Sequence, residues 1–330
     1  MTTHRRSRHR NAGDAGMTTM TDPYPSRVSG MPRVLERPHP VVWGASPAPD
    51  IALFDQHGFL QQENAVSADA VELCLAEIAR IQNDPQIRDD ARIVREEGTS
   101  AVRSIFDIVE LSDIVRDAVE ESGAEDIARQ ILGSEVYIYQ SRLNYKPGFH
   151  GGAFYWHSDF ETWHAEDGMT HPRAVSASIA LTRNESCNGP LMIMPGTHRC
   201  FVQCAGATPD DYYRESLVTT APRVGAPSAD IIADLADTHG IDVLTGRAGS
   251  MTVFDCNALH ASGGNISPLP RANIFVVFNS VDNPIGQPFA GSTPRPSFLA
   301  KHPPATGTAT GGASSTAAGM CSTRDDLAHQ

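Results

Sequence analysis

The chain has 330 residues and a formal net charge of −13, with 40% hydrophobic, 7% aromatic and 20% charged residues. That length suits one large single-core domain with tails, and the acidic excess argues against a nucleic-acid binder. No apolar run approaches membrane-spanning length, and six cysteines at irregular spacing, with no CxxC pair, give no disulfide framework.

Met1 to about Pro38 is polar, and no apolar segment follows the basic cluster Arg5-Arg6-Ser7-Arg8-His9-Arg10. Residues 1–38 are therefore read as a disordered extension rather than a secretory signal, ahead of a single domain over residues 39–302. Phe54-Asp55-Gln56-His57-Gly58-Phe59-Leu60 reads as a short strand and turn. Val71, Leu75, Ile78 and Ile81 recur at helical spacing, with Ser67 available as N-cap, and a second helix is predicted from Ser112 to Leu132. From Glu135 onward the signals are strands: Val136–Tyr139, Ala174–Thr182, Leu191–Met194, Met251–Phe254 and Ile274–Phe278. Pro209 to Val243 is an insertion between core strands, helical around Asp230 to Asp237. The Ala/Thr/Gly/Ser-rich stretch from Pro303 cannot bury enough apolar surface to order itself, so residues 303–330 are read as a disordered tail. Helices first, then strands separated by Gly/Pro turns, predict a mainly β fold with flanking helices. Its core would be a double-stranded β-helix, a cupin-like jelly roll.

Chemistry concentrates in Phe154-Tyr155-Trp156-His157-Ser158-Asp159-Phe160-Glu161-Thr162-Trp163-His164. Along an extended strand, residues i and i+2 project to one face, so His157 and Asp159 aim an imidazole and a carboxylate at a common point. Glu161 would join His157 only on a helix, which Gly168 and the aromatic density argue against. His164 reads as a hydrogen-bonding or surface histidine. A second segment, Phe254-Asp255-Cys256-Asn257-Ala258-Leu259-His260, offers His260 as a third ligand; Cys256 beside it reads as a small buried hydrophobe. Two histidines and one acid are the facial set of non-haem Fe(II) oxygenases. Zinc stays open as a competitor, although the helical HExxH of many zinc hydrolases is missing. Arg271 opens an apolar strand expected beside that of His260. Its guanidinium can take a carboxylate bidentately, or sit in solvent at the strand end.

These residues, together with Gln140-Ser141-Arg142-Leu143-Asn144-Tyr145-Lys146-Pro147-Gly148-Phe149, Val102-Arg103-Ser104-Ile105-Phe106 and Asn188-Gly189-Pro190-Leu191-Met192-Ile193-Met194-Pro195-Gly196-Thr197-His198-Arg199, resemble the phytanoyl-CoA dioxygenase-type branch of the Fe(II)/2-oxoglutarate oxygenases. The resemblance spans roughly residues 50 to 300. It implies Fe(II) held by His157, Asp159 and His260, with 2-oxoglutarate and O2 as co-substrates. Arg271 would meet the distal carboxylate of 2-oxoglutarate, assisted by Asn144 and Ser178, with Phe106 grouped among these contacts. Asp159 is present, which disfavours halogenating variants that lose the carboxylate. Asn273 stands where many relatives place a hydroxyl residue, leaving the second 2-oxoglutarate contact open.

The resemblance also implies a small-molecule substrate, the compatible solute ectoine, hydroxylated to 5-hydroxyectoine. Such a zwitterion needs an aromatic or acidic wall at one end and a cation at the other. Trp163 offers a π face and Gln140 a hydrogen-bonding amide, while Arg295 would pair with the carboxylate. Phe106 and Phe278 would line the pocket. The alternatives are core packing for Trp163, Phe106 and Phe278, and plain exposure for Gln140 and Arg295. Neither nucleic acid nor membrane is expected as a partner; a homodimer is entertained, and the location expected is cytoplasmic.

Overall fold

The structure, a computed structural model, describes residues 22–37 and 49–302 apart from 88, 97 and 292. Residues 22–37 belong to the fold, which corrects the expectation of a disordered extension reaching Pro38. Tyr24 is fully buried, edge-on to Phe160 and Phe201, and strand β1 (Val34–Glu36) pairs with Cys200–Val202. Polar composition hid a few buried side chains whose partners lie far along the chain. Residues 1–21, 38–48 and 303–330 lie outside the described residues.

Helix α1 (Pro49–His57) replaces the strand predicted at Phe54, and β2 starts only at Phe59 (Phe59–Gln62). Helix α2 (Ala68–Asn83) follows the predicted periodicity. Ser67 Oγ accepts from Ala70 N at 3.3 Å, and Val71, Cys74, Ile78 and Ile81 are buried. After β3 (Ile93–Arg95), β4 (Val102–Phe106) and the single turn α3 (Ile108–Leu111), the one helix predicted over Ser112 to Leu132 is in fact two. These are α4 (Asp113–Glu121) and α5 (Ala124–Leu132), divided where Gly123 takes φ +67, a conformation that stops a helix and suits glycine.

The β-rich half contains β5 (Val136–Lys146), β6 (Phe154–His157) and the short helix α6 (Asp159–Thr162), which continues as a π-helical turn over Trp163–Asp167. Next come β7 (Ala174–Ala180), β8 (Leu191–Ile193) and β9 (Cys200–Val202). The predicted insertion holds α7 (Tyr213–Ser216) and α8 (Ala229–His239) and ends in β10 (Asp242–Leu244). Then β11 (Met251–Asp255), β12 (His260–Ser262) and β13 (Arg271–Ser280) complete the order.

Two antiparallel sheets form the predicted jelly roll, ordered β2-β11-β7-β13-β5-β4-β3 and β10-β8-β12-β6. Helices α2, α4 and α5 cover the outer face of the large sheet, where Leu143, Ala177, Val253, Ile274 and Val276 join Ile78, Val115 and Ile131 in one core. The inner face meets the small sheet through Phe254 and Phe275 against Leu191 and Ile193. Covered on both sides, β13 is buried at every one of its 10 positions. Its alternation sends Ala272, Ile274 and Val276 to the helices and leaves Arg271, Asn273 and Phe275 facing the space between the sheets.

Candidate metal centre and its two cavities

Strands β6 and β12 are neighbours in the small sheet, and His260 is the register partner of His157. The pairing puts the two imidazoles side by side, ring centroids 4.3 Å apart. Asp159 reaches the same point from just beyond the strand. Ser158 keeps extended dihedrals (φ −106, ψ 128), and its hydroxyl accepts from Glu161 N to cap α6. The i, i+2 geometry therefore survives through Ser158, but Asp159 is the first residue of a helix rather than the strand residue expected. The serine cap ends the strand and starts the turn. His157 Nε2 lies 3.6 Å from Asp159 Oδ1, and His260 Nε2 lies 3.8 Å from Asp159 Oδ2. All three donors fall within 4.8 Å of one another; among the described residues no other trio of such side chains does so.

Both imidazoles are oriented from behind. His157 Nδ1 donates to Tyr155 O at 2.7 Å and His260 Nδ1 donates to Ala258 O at 3.0 Å. A carbonyl only accepts, so each Nδ1 carries the proton and each Nε2 presents its lone pair. Burial pushes the Asp159 carboxyl up, but His260, His157 and Arg142 outweigh it and hold it well below the usual range. Burial, reinforced by His157, pushes His260 down to about 4. Two imidazoles and an ionised carboxylate, with no thiolate, form a nitrogen–oxygen donor set that fits a divalent iron.

Two cavities meet at this point. One is lined by Asn144, Leu191, Ser262, Arg271 and Phe275; the other by Phe106, Gln140, Thr162, Trp163, Arg295 and Leu299. Arg142, Phe154 and His157 line both. A roomier hollow lies elsewhere, between α1, β2 and α5, but His57 is the one titratable residue lining it, and it carries no ligand set.

The sequence profile of the phytanoyl-CoA dioxygenase (PhyH) family matches residues 54–273, a span that contains all three converging side chains. The chain belongs to the phytanoyl-CoA dioxygenase family. An ectoine dioxygenase of Nocardia farcinica is 50% identical over 278 residues, covering 84% of this chain and 93% of that relative. One of Streptomyces avermitilis is 48% identical over 289 residues, covering 86% and 97%. The crystal structure of EctD from S. alaskensis with 2-oxoglutarate and 5-hydroxyectoine superposes with a TM-score of 0.76 at 43% identity, covering 86% of this chain and 96% of that one. The same enzyme with bound Fe gives 0.74 at 42%, covering 85% and 94%.

Within this phytanoyl-CoA dioxygenase-family fold, Arg271 approaches from the large sheet, not from a strand beside His260 as expected. The chain crosses between sheets after β12, so the arginine faces the triad across the interior. Its Nη1 donates to Gly189 O, and its Nε donates to Asn273 Oδ1 at 3.3 Å. Asn273 Nδ2 in turn donates to Ser178 Oγ at 2.9 Å, so the residue two places on buttresses both predicted contacts. Burial, with Arg142 nearby, pushes Arg271 down to about 10. Asn144 Oδ1 is buried without a partner on the same side.

Phe106, grouped with the 2-oxoglutarate contacts, lines the other cavity instead, its ring 6.4 Å from Phe298. Phe278 points to the helices and joins the outer core, because it shares the parity of Ile274 and Val276; Phe275 takes the inner place. Trp163 is buried, edge-on to Tyr139 at 5.1 Å. Gln140 Nε2 donates to Leu299 O at 2.6 Å. Arg295 is buried, donating through Nε and Nη2 to Asp167 Oδ1 at 2.8 Å and Oδ2 at 2.6 Å. His164 is buried too, bonded to Met169 O and Asp22 Oδ1. Glu161 turns away from the triad to Arg27.

Sequence reasoning passed over Arg142, Phe154, Lys146 and Arg27. Arg142 Nε is buried with no partner. Phe154 is clasped by Arg103 at 3.8 Å and Lys146 at 4.8 Å from its ring centroid. The alternation Gln140, Arg142, Asn144, Lys146 along β5 was a usable signal: four polar residues on one face of a strand whose other face carries Leu143 and Tyr145 into the outer core. Among the described residues no helix is long and apolar enough to cross a membrane.

Proposed function

We infer that this chain hydroxylates ectoine to 5-hydroxyectoine, consuming 2-oxoglutarate and O2 and releasing succinate and carbon dioxide. The observation that carries the reading is the convergence of His157, Asp159 and His260 where two cavities meet. The ectoine dioxygenase relatives and the EctD structure holding 2-oxoglutarate and 5-hydroxyectoine support it.

Fe(II), when bound, supplies the oxygen activation that couples decarboxylation of 2-oxoglutarate to hydroxylation of the substrate. His157 and His260 would hold it through Nε2 and Asp159 through its carboxylate. Arg271, buried and lacking a carboxylate partner, takes the distal carboxylate of 2-oxoglutarate. Asn144 faces the same cavity, and Ser178 acts through Asn273. On the opposite side Trp163 gives the amidinium-like ring an aromatic face, Gln140 borders it through its amide, and Phe106 closes the wall. Arg142, with its unpartnered Nε, suits the substrate carboxylate better than Arg295, whose charge Asp167 already balances.

Anaerobic reconstitution with Fe(II), 2-oxoglutarate and ectoine, followed by oxygen, should add one oxygen atom to ectoine by mass and release succinate in step with it. Succinate release indifferent to ectoine would sink the substrate assignment. The acidic composition and the free cysteines among the described residues suit a cytoplasmic location, which cell fractionation tests: recovery in an exported fraction would refute it.

A further inference from the structure

Arg27 sits in the segment that the sequence consigns to a tail, yet it is built into the molecule. Its side chain is 1% exposed, and its backbone takes φ +57, a conformation non-glycine residues rarely adopt. Nε and Nη2 donate to the two oxygens of Glu161 at 2.7 and 3.1 Å. Nη2 also donates to Glu166 Oε1 at 3.0 Å, and Nη1 to Thr208 Oγ1 at 3.1 Å. Gly225 leaves the room this requires: a Cβ there would stand 2.6 Å from Nη2.

Both carboxylates lead to the metal centre. Glu161 lies in α6, the turn that starts at Asp159, and Ser26 Oγ donates to it as well. Glu166 Oε2 lies 4.0 Å from Arg295 Nε. Arg295 is clamped by Asp167, which also accepts from Tyr139 Oη. A continuous chain of charges thus runs from the N-terminal segment, through the π-helical turn, to an arginine in the wall of the Trp163 cavity.

We propose that Arg27 is a positioning residue for the substrate-side cavity: through Glu166 it fixes Arg295, and through Glu161 it holds the turn that carries Thr162 and Trp163. The proposal rests on the reading that this cavity takes ectoine. Arg295, Thr162 and Trp163 line this cavity and none of them lines the opposite one, so the effect is one-sided.

Steady-state kinetics of the full chain carrying Arg27→Gln, Arg27→Lys or Glu166→Gln, with ectoine and 2-oxoglutarate varied in turn, test this. The KM for ectoine should rise about two- to thirty-fold, the range of coupling passed through a neighbour, while the KM for 2-oxoglutarate stays within about twofold. Succinate should then exceed hydroxylated product. Arg27→Lys, which keeps one of the two ion pairs, should show a smaller rise than Arg27→Gln. Should Arg27→Gln fail to fold, Glu166→Gln carries the test, since it spares the Arg27–Glu161 pair. A loss confined to thermal stability or active fraction, or an equal rise in both KM values, overturns the proposal. Unmodified enzyme that leaves ectoine unchanged refutes the substrate assignment instead, before any variant is made.

Discussion

Arg271 on one side of the metal centre, and Arg27 and Arg295 on the other, are buried cations whose charges are settled differently, while Lys146, the register partner of Arg271, is pushed toward its neutral form. Burial, with neighbouring cations adding to it, pushes Arg271 down to about 10 and Lys146 down to about 6. For Arg27 and Arg295 burial is outweighed by the carboxylates of Glu161 and Asp167, and both are raised. A buried charge without a counter-ion is costly and persists where a ligand is to supply the missing partner. A paired one holds structure. The first cavity is therefore lined by a guanidinium without a carboxylate partner, mounted on the strand β13, and the second is a wall braced by turns and terminal segments.

Removing the feature both cavities share has the largest effect. His157→Ala, Asp159→Ala or His260→Ala should reduce turnover to background and weaken Fe(II) binding measured by anaerobic calorimetry; near-native activity in any one excludes that residue as a ligand. Arg271→Ala should raise the KM for 2-oxoglutarate about 10- to 150-fold, the worth of a charge-assisted pair of roughly 1.5–3 kcal/mol, with little change for ectoine. If both rise alike, the two cavities are not functionally separate. Trp163→Ala should do the opposite, raising the KM for ectoine about 2- to 30-fold as expected for a cation–π contact; a larger effect on 2-oxoglutarate would move the tryptophan to the other side.

The remaining effect is on stability. Lys146 titrates near 6 when folded but near ~10.4 when unfolded. Below pH 6 both states are protonated and the full cost of burying the ammonium is present. Between these values the unfolded state holds the extra proton, so stability rises with pH, by up to about 1.4 kcal/mol per pH unit. Denaturant unfolding of the parent protein and Lys146→Met at pH 6 and 9 checks this: the parent should gain on the variant as pH rises, and parallel curves would show that Lys146 stays charged.

Much of the strand-built side was legible. The convergence of His157, Asp159 and His260 was readable because strand alternation and ligand chemistry are local properties. Phe278 was misplaced by one step of that same alternation, since an apolar strand covered on both faces gives no cue to which parity faces the site. Gly123 split a predicted helix because its positive φ matters more than the apolar periodicity around it. Arg27, Glu166 and Asp167 were unreadable as a group: their partners are 128 to 139 positions apart in the chain, and a polar segment looks alike whether its charges meet water or one another.

The sequence by itself determined the chemistry, because donor type and i, i+2 spacing fix which atoms can share an ion, and it determined the jelly-roll class, because strand and turn signals are local. Only the tertiary structure decided that Arg271 faces the triad from the opposite sheet, that Arg142 stands between two cavities, and that residues 22–37 pack into the site's support. Those outcomes depend on which distant charges pair when both leave water, and no local pattern encodes that.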